Sequence, residues 1–350
     1  MTELQAFRRA MSRGGGQGLW YAEFVPSVLE RFCKYEGCDA EGVGQKYRAF
    51  CPVYVGLSGV GYPEPALFEP FFADIPRPAG AWINCWGVME VPCDTYHFTR
   101  YISPGRHMTT LEEIRDIPIA DFSSGDAAHM AEAVRQAHGK GKAAVCWVGH
   151  MYEEAWQIRG YAQFLTDMTE HPEICEWLLD RILANDLVAG RAAARAGADM
   201  LKIGDDVANQ RSMMFSPGMW RRFMKPRWSL FISEVRKLKP DIRIWYHSDG
   251  NIKDIIPELI EIGVDVLNPI QPECLDVDEI IREFGRDLVP DGCIGTQSLM
   301  PFGTPEDIKK EVRRLRSLCP DGALILSPTH VLEPDVPMEN IRAFLEACNE

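Results

Sequence analysis

From about residue 127 onward the apolar residues of this chain follow two alternating rhythms. Short continuous apolar runs, each cut off by a polar cluster, alternate with longer segments in which apolar residues recur every three or four positions. The clearest example spans 242–271. Ile242-Arg243-Ile244-Trp245-Tyr246 has the length and β-branched content of a buried strand, and it ends at His247-Ser248-Asp249-Gly250-Asn251. Ile252, Ile255, Ile256, Leu259 and Ile260 then follow a helical period, and Gly263 stands where a helix C-cap is expected. A second apolar run, 264–267, ends in Asn268-Pro269-Ile270-Gln271. The pattern predicts a βαβ unit whose polar groups collect at the C-terminal ends of the strands.

The same alternation predicts a helix over 127–137 and a strand over 143–148 that opens into Gly149-His150-Met151-Tyr152-Glu153. Helices over 154–168 and 172–195 lead to a strand at 200–203, whose tip is Gly204-Asp205-Asp206 with Asn209 and Gln210 just beyond. Ser216-Pro217 reads as the cap and first turn of the next helix. Strands follow at 288–290 and 323–326, the last with the tip Ser327-Pro328-Thr329-His330. The first third is less regular. It predicts a strand over 18–23, a helix over 26–32, an excursion or loop over 51–77 and a hairpin from 82–89 with 94–98. Thr110 with Glu113 reads as a capping box. At least five strand–helix units with polar tips predict a single (β/α)8 TIM barrel over 1–350, with N-terminal excursions. A doubly wound sheet would normally carry a Gly-rich phosphate turn, and neither GxGxxG after an early strand nor GxxxxGK[ST] occurs.

Charge narrows the partners. Lys and Arg number 37 against 51 Asp and Glu, a net charge of −14, so no basic face for nucleic acid is expected. No apolar run approaches the roughly 18 residues that cross a bilayer, and the first residues lack the apolar core of a secretory signal. A cytoplasmic location is the expectation. The eleven cysteines contain no CxxC pair and read as reduced thiols, with Cys146 and Cys293 in the core. Trp147, Trp245 and Tyr246 read as packing groups before stacking ones.

The polar tips carry the candidate chemistry. His247 and Asp249 stand two apart at one strand end and His330 sits at the equivalent place on the last strand. Together they offer N/O donors suited to Zn²⁺ or a similar divalent cation. The competing reading makes His247 a hydrogen-bonded barrel histidine and Asp249 a helix cap. Asp205 and Asp206 are adjacent carboxylates that resist joint ionisation, so either is a candidate general acid or base. Alternatively one caps a turn while the other pairs with Arg211. His150, Tyr152 and Glu153 share a tip and are candidates to line the pocket.

Taken together, these tips resemble the uroporphyrinogen decarboxylase superfamily. The resemblance rests on Ile203-Gly204-Asp205-Asp206 with Gln210, on Ser216-Pro217 through Trp220-Arg221, and on His247-Ser248-Asp249-Gly250-Asn251. Asn268-Pro269-Ile270-Gln271-Pro272, Gly303-Thr304-Pro305-Glu306, His330 and Pro337-Met338-Glu339-Asn340 add to it, as does Glu154-Ala155-Trp156. It covers roughly 140–345 well and the first 140 residues poorly. It implies a (β/α)8 barrel, a homodimer, and one of two chemistries. Cofactor-free decarboxylases of the superfamily hold a polycarboxylate with an N-terminal arginine-rich motif, whereas this chain has no arginine between Arg13 and Arg31. The other branch resembles corrinoid-dependent methyltransferases, which commonly hold zinc with His–x–Cys and a later Cys. Here Asp249 and His330 stand at the two Cys positions, replacing soft thiolates by harder donors.

The resemblance therefore implies methyl transfer between a small methyl donor, such as a methoxylated aromatic, and cobalamin carried by a partner corrinoid protein. His247, Asp249 and His330 are the expected zinc ligands, with Asp205, Asp206 and Asp249 as catalytic carboxylates. Gln210, Tyr246, Asn268, Gln271, His150 and Tyr152 are expected to contact substrate. Two alternatives stay open at this point: decarboxylation of a tetrapyrrole, and a non-catalytic barrel that binds a small ligand.

Overall fold

The computed structural model describes residues 1–93 and 99–350. Eight parallel strands form one curled sheet: β1 Leu19–Trp20, β2 Val53–Tyr54, β6 Ala144–His150, β7 Met200–Gly204, β8 Arg243–His247, β9 Val266–Ile270, β10 Val289–Ile294 and β11 Ile325–Pro328. Their order around the sheet is β1-β11-β10-β9-β8-β7-β6-β2. The two edges approach each other where the Phe50 backbone N–H donates to the Trp20 carbonyl (2.7 Å). Between β2 and β6, β3 Trp82–Ile83, β4 Met89–Pro92 and β5 Thr99–Ile102 make a separate antiparallel sheet. The expected barrel is thus present, but 51–77 is not wholly a loop: it contains β2, a barrel strand of two residues too short to show a period. The expected hairpin's first arm, 82–89, is itself folded back, with β3 pairing β4 through Trp82 opposite Glu90 and Ile83 opposite Met89. Its other expected strand, 94–98, lies outside the described residues.

Local sequence sets the element ends. The Ser216 hydroxyl accepts the Met219 N–H at the start of the helix Pro217–Phe223, and Thr110 and Glu113 form a reciprocal capping box. Gly263 ends the helix Ile256–Ile262 at φ 102°, a conformation that costs glycine no steric penalty. The two helices expected between β6 and β7 are three, Met151–Arg159, Tyr161–Glu170 and Pro172–Ala196, because Gly160 breaks the first pair at φ 105°.

The apolar core has two layers. One lies between the strands and the helices and holds Trp220, Trp228, Tyr246, Phe231, Phe164 and Tyr152. The other fills the lower barrel with Val145, Met200, Val266, Val289 and Ile325, closed from below by the helix Glu3–Met11 through Leu4 and Phe7. Phe7 stacks on Phe50 at 5.8 Å. Among the described residues no helix is long and apolar enough to cross a membrane.

Candidate active site

β8 delivers His247 to the rim, between Gly204 on β7 and Asn268 on β9. Gly204 is needed for close approach: a Cβ there would lie 2.6 Å from the His247 carbonyl oxygen and 2.7 Å from its Cβ. The His247 ring is held from below. Its Nδ1 meets Asn268 Oδ1 at 2.7 Å, and Asn268 Nδ2 donates to the Tyr21 hydroxyl at 3.3 Å. Tyr21 in turn donates to Asp291 (3.2 Å), which also accepts from Trp245 Nε1 (2.6 Å) and Ser327 Oγ (3.1 Å). Because Asn268 Oδ1 only accepts, the proton sits on His247 Nδ1 and the Nε2 lone pair faces outward.

That Nε2 lies 3.5 Å from Asp206 Oδ1, and the same oxygen accepts the Asp249 backbone N–H at 2.8 Å. One donor atom each from Asp206, His247 and Asp249 lies within 4.8 Å of the others. Asp249 Oδ1 is buried with no hydrogen-bond partner among the described residues. Burial pushes the Asp249 carboxyl up, opposed by His247 and reinforced by the charge of Asp206. An orphaned buried oxygen, a neighbouring carboxylate and an oriented imidazole form a donor set that a hard or borderline divalent cation satisfies.

Asp206 stands in this group with His247 and Asp249, and His330, the third ligand expected from the sequence, is not among its members. His330 is exposed on the segment beyond β11, outside this group, and lines a cavity of about 330 Å³ with Asp249, Gln271, Thr296 and Gln297. Its charge still acts on Asp249. Nor does Asp249 cap the helix that follows, since it faces Asp206.

On the other side of His247, the His150 ring stacks at 5.4 Å and itself lies 5.0 Å from Trp147. His150 Nδ1 bonds Glu153, while its buried Nε2 has no partner among the described residues. Burial alone would lower the His150 pKa, but the hydrogen bond and charge of Glu153, with Asp206 and Asp249, raise it. Burial would likewise raise Glu153, yet His150 holds it below its usual range.

Three expected site residues lie elsewhere. Asp205 is fully buried: its oxygens accept the Tyr152 backbone N–H and Trp228 Nε1–H (2.9 Å), so it staples β7 to the surrounding helices. Tyr246 and Tyr152 are also fully buried on the helix-facing side. Tyr152 packs between Phe164 and Phe215, and Tyr246 packs against Trp228. Strand alternation explains Tyr246, because its neighbours Trp245 and His247 take the barrel side. Gln210 is exposed and donates to Gln297 (2.8 Å), while Gln271 accepts the Gly250 N–H at 2.6 Å. Trp147, expected as a packing group, is 47% exposed.

Sequence reasoning missed a second group of acids. Glu154 lines a cavity of about 320 Å³ with Trp147, Gly149, Tyr62, Trp86 and Phe122. Asp186, 2% exposed, approaches from the helix Pro172–Ala196. The available signal was an acid on the buried stripe Ile182, Leu183, Ala189 of a long helix. Lys202 was also missed. It is buried inside the barrel, with its ammonium 4.1 Å from the Trp245 ring centre.

Known proteins agree with this architecture. Residues 100–350 match the family described as "Uroporphyrinogen decarboxylase (URO-D)". A methylated-thiol–coenzyme M methyltransferase of Methanosarcina mazei is 26% identical over 184 residues, 51% of this chain and 45% of that protein. A methylcobamide:CoM methyltransferase, MtaA, of Methanosarcina barkeri is 25% identical over 51% of this chain and 49% of that protein. A uroporphyrinogen decarboxylase of Hydrogenobaculum is 25% identical over 45% and 42% respectively. The chain therefore spans about half the length of the curated relatives it matches. The solved structure of a methyltransferase from Methanosarcina mazei superimposes with a TM-score of 0.64 at 16% identity, covering 99% of this chain and 98% of that one, which establishes the shared fold. With a curled eight-stranded parallel sheet, polar strand ends and a match over well more than half its length, the chain belongs to the uroporphyrinogen decarboxylase family.

Proposed function

We propose that this chain is a methyltransferase that moves a methyl group between a small methylated substrate and the corrinoid of a partner protein. The observation that carries the reading is the convergence of Asp206, His247 and Asp249 at the strand ends. Two relatives with methyltransferase names support it. Zinc is the proposed metal: when bound by these three residues it supplies a Lewis acid for the heteroatom that the methyl group leaves. Asn268 fixes the His247 tautomer, and Asp206 orients the Asp249 backbone through its N–H. The donor set holds no thiolate, which disfavours activating a soft thiol and favours an oxygen-bound methyl group. A methoxylated aromatic is the proposed donor class, with Tyr62, Trp86, Phe122 and Trp147 as walls for its ring. His150 links that cavity to His247 by stacking. Gln271 lines the opposite cavity beside Asp249. A homodimer is proposed on family grounds.

The test incubates the protein with reduced corrinoid protein and a panel of methoxylated aromatics and methylamines, following methyl–cobalt absorbance. Methylation from the aromatic ethers supports the reading. Methylation from amines alone overturns the donor class, and no methylation from any donor overturns the function.

A further inference from the structure

Beside the stacked His150 and His247 lies a carboxyl pair that the proposed metal group does not use. A Cβ placed on Gly149 would lie 3.0 Å from Glu154 Oε1 and 3.3 Å from Asp186 Oδ1, so both carboxyls press on one point of β6. Glu154 Oε2 and Asp186 Oδ2 are buried and have no hydrogen-bond partner among the described residues. Among the described residues, the lining of the adjoining aromatic cavity includes no Lys, Arg or His. Two desolvated carboxyls crowded onto one point of a strand resist joint ionisation. Burial and the charge of Asp186 hold Glu154 well above the usual carboxylate range, against a backbone hydrogen bond from His150. Asp205 and Glu153 add repulsion. Burial pushes Asp186 up to about 8. Around the cavity, Tyr62, Cys85 and Cys146 are titratable neighbours, and burial raises all three.

We propose that Glu154, backed by Asp186, is the acid that gives a proton to the oxygen released when the methyl group leaves. The inference rests on the methyl-ether reading above and names a catalytic group for it. The expected carboxylates at the β7 tip do not suit this role. Both oxygens of Asp205 already accept hydrogen bonds, and Asp206 accepts the Asp249 N–H beside His247. In the step, the methyl–oxygen bond breaks and its electron pair stays on oxygen. The Glu154 carboxyl proton moves to that oxygen and gives a neutral phenol. The methyl carbon is taken by the reduced corrinoid of the partner protein, the co-substrate, whose electron pair makes the new bond. Glu154 is left as a carboxylate and regains its proton from water. A phenoxide leaving into this aromatic cavity would be costly even with a metal polarising its oxygen, and the proton lowers that cost.

The test compares wild type with Glu154→Gln and Asp186→Asn on aryl methyl ethers whose phenols span a wide range of acidity. Glu154→Gln is expected to lose on the order of 10²-fold in rate on ethers of weakly acidic phenols, and only a few-fold on ethers of strongly acidic ones. Asp186→Asn removes the repulsion, so the alkaline limb of its pH–rate profile moves to lower pH. Infrared difference spectra at pH 7 are expected to show a protonated carboxyl band in wild type that Glu154→Gln lacks. This readout needs no partner protein. Equal loss on every ether, or no such band, overturns the role of Glu154 and leaves the parent reading intact. A wild type that demethylates no ether in the series overturns the parent reading and this one with it.

Discussion

Each proposed ligand is held by a different kind of contact, and that makes their roles separable. His247 depends on Asn268 behind it, Asp206 on the Asp249 N–H, and one Asp249 oxygen has no hydrogen-bond partner among the described residues. Purified protein is expected to carry about one zinc per chain by elemental analysis. His247→Ala and Asp206→Ala should abolish it, and His330→Ala should retain it. Asn268→Ala should weaken zinc roughly 10–100-fold in a chelator competition, the usual cost of losing the group that orients a histidine ligand. At this scale the sequence was legible where polarity broke an apolar run, as at His247-Ser248-Asp249. It was not legible in which direction adjacent residues turn. Asp205 and Asp206 are chemically alike, yet one is sealed under Trp228 and the other stands at the rim. That choice is made by the packed helices, which leave no local mark on the two aspartates.

Elements bring the ligands together by how closely the strands lie. At Gly204 the neighbouring strand leaves no room for a methyl group. Gly204→Ala is expected to destabilise the fold by about 1–3 kcal/mol, the typical penalty of overpacking, and to displace His247. Chemical denaturation checks the first effect and zinc retention the second. The helix Glu3–Met11 has its own test. Phe7, 2% exposed, closes the barrel floor against Phe50. Phe7→Ala should cost roughly 3–5 kcal/mol, again by denaturation, while leaving the zinc content unchanged. The strands from β6 to β11 could be read from the apolar runs to within a few residues. β2 could not, because two residues after Pro52 carry no rhythm and are held as strand only by pairing with β6.

For the whole molecule, the buried acids set a pH dependence opposite to that of ordinary ion-paired carboxylates. Asp186 is raised to about 8 in the folded state and lies near 4 when unfolded. Between those values the folded chain holds a proton that the unfolded chain releases, so stability falls as pH rises through the window. One group contributes at most about 1.4 kcal/mol per pH unit. Glu154 and Asp205 are shifted in the same direction by burial. Thermal melts are expected to show the midpoint dropping from pH 5 to pH 8, with a shallower drop in Asp186→Asn. An unchanged slope in that variant would mean the proton resides elsewhere.

The Tyr21 hydroxyl couples the start of the chain to its rim chemistry. It bridges Asn268 and Asp291, so the tautomer of a histidine on the fifth barrel strand depends on a side chain beside the first. Anyone grafting a foreign opening segment onto this scaffold would inherit that obligation. A replacement with phenylalanine at the matching place would keep the packing and lose the anchor. The less regular first quarter is therefore tied to the rim through Tyr21.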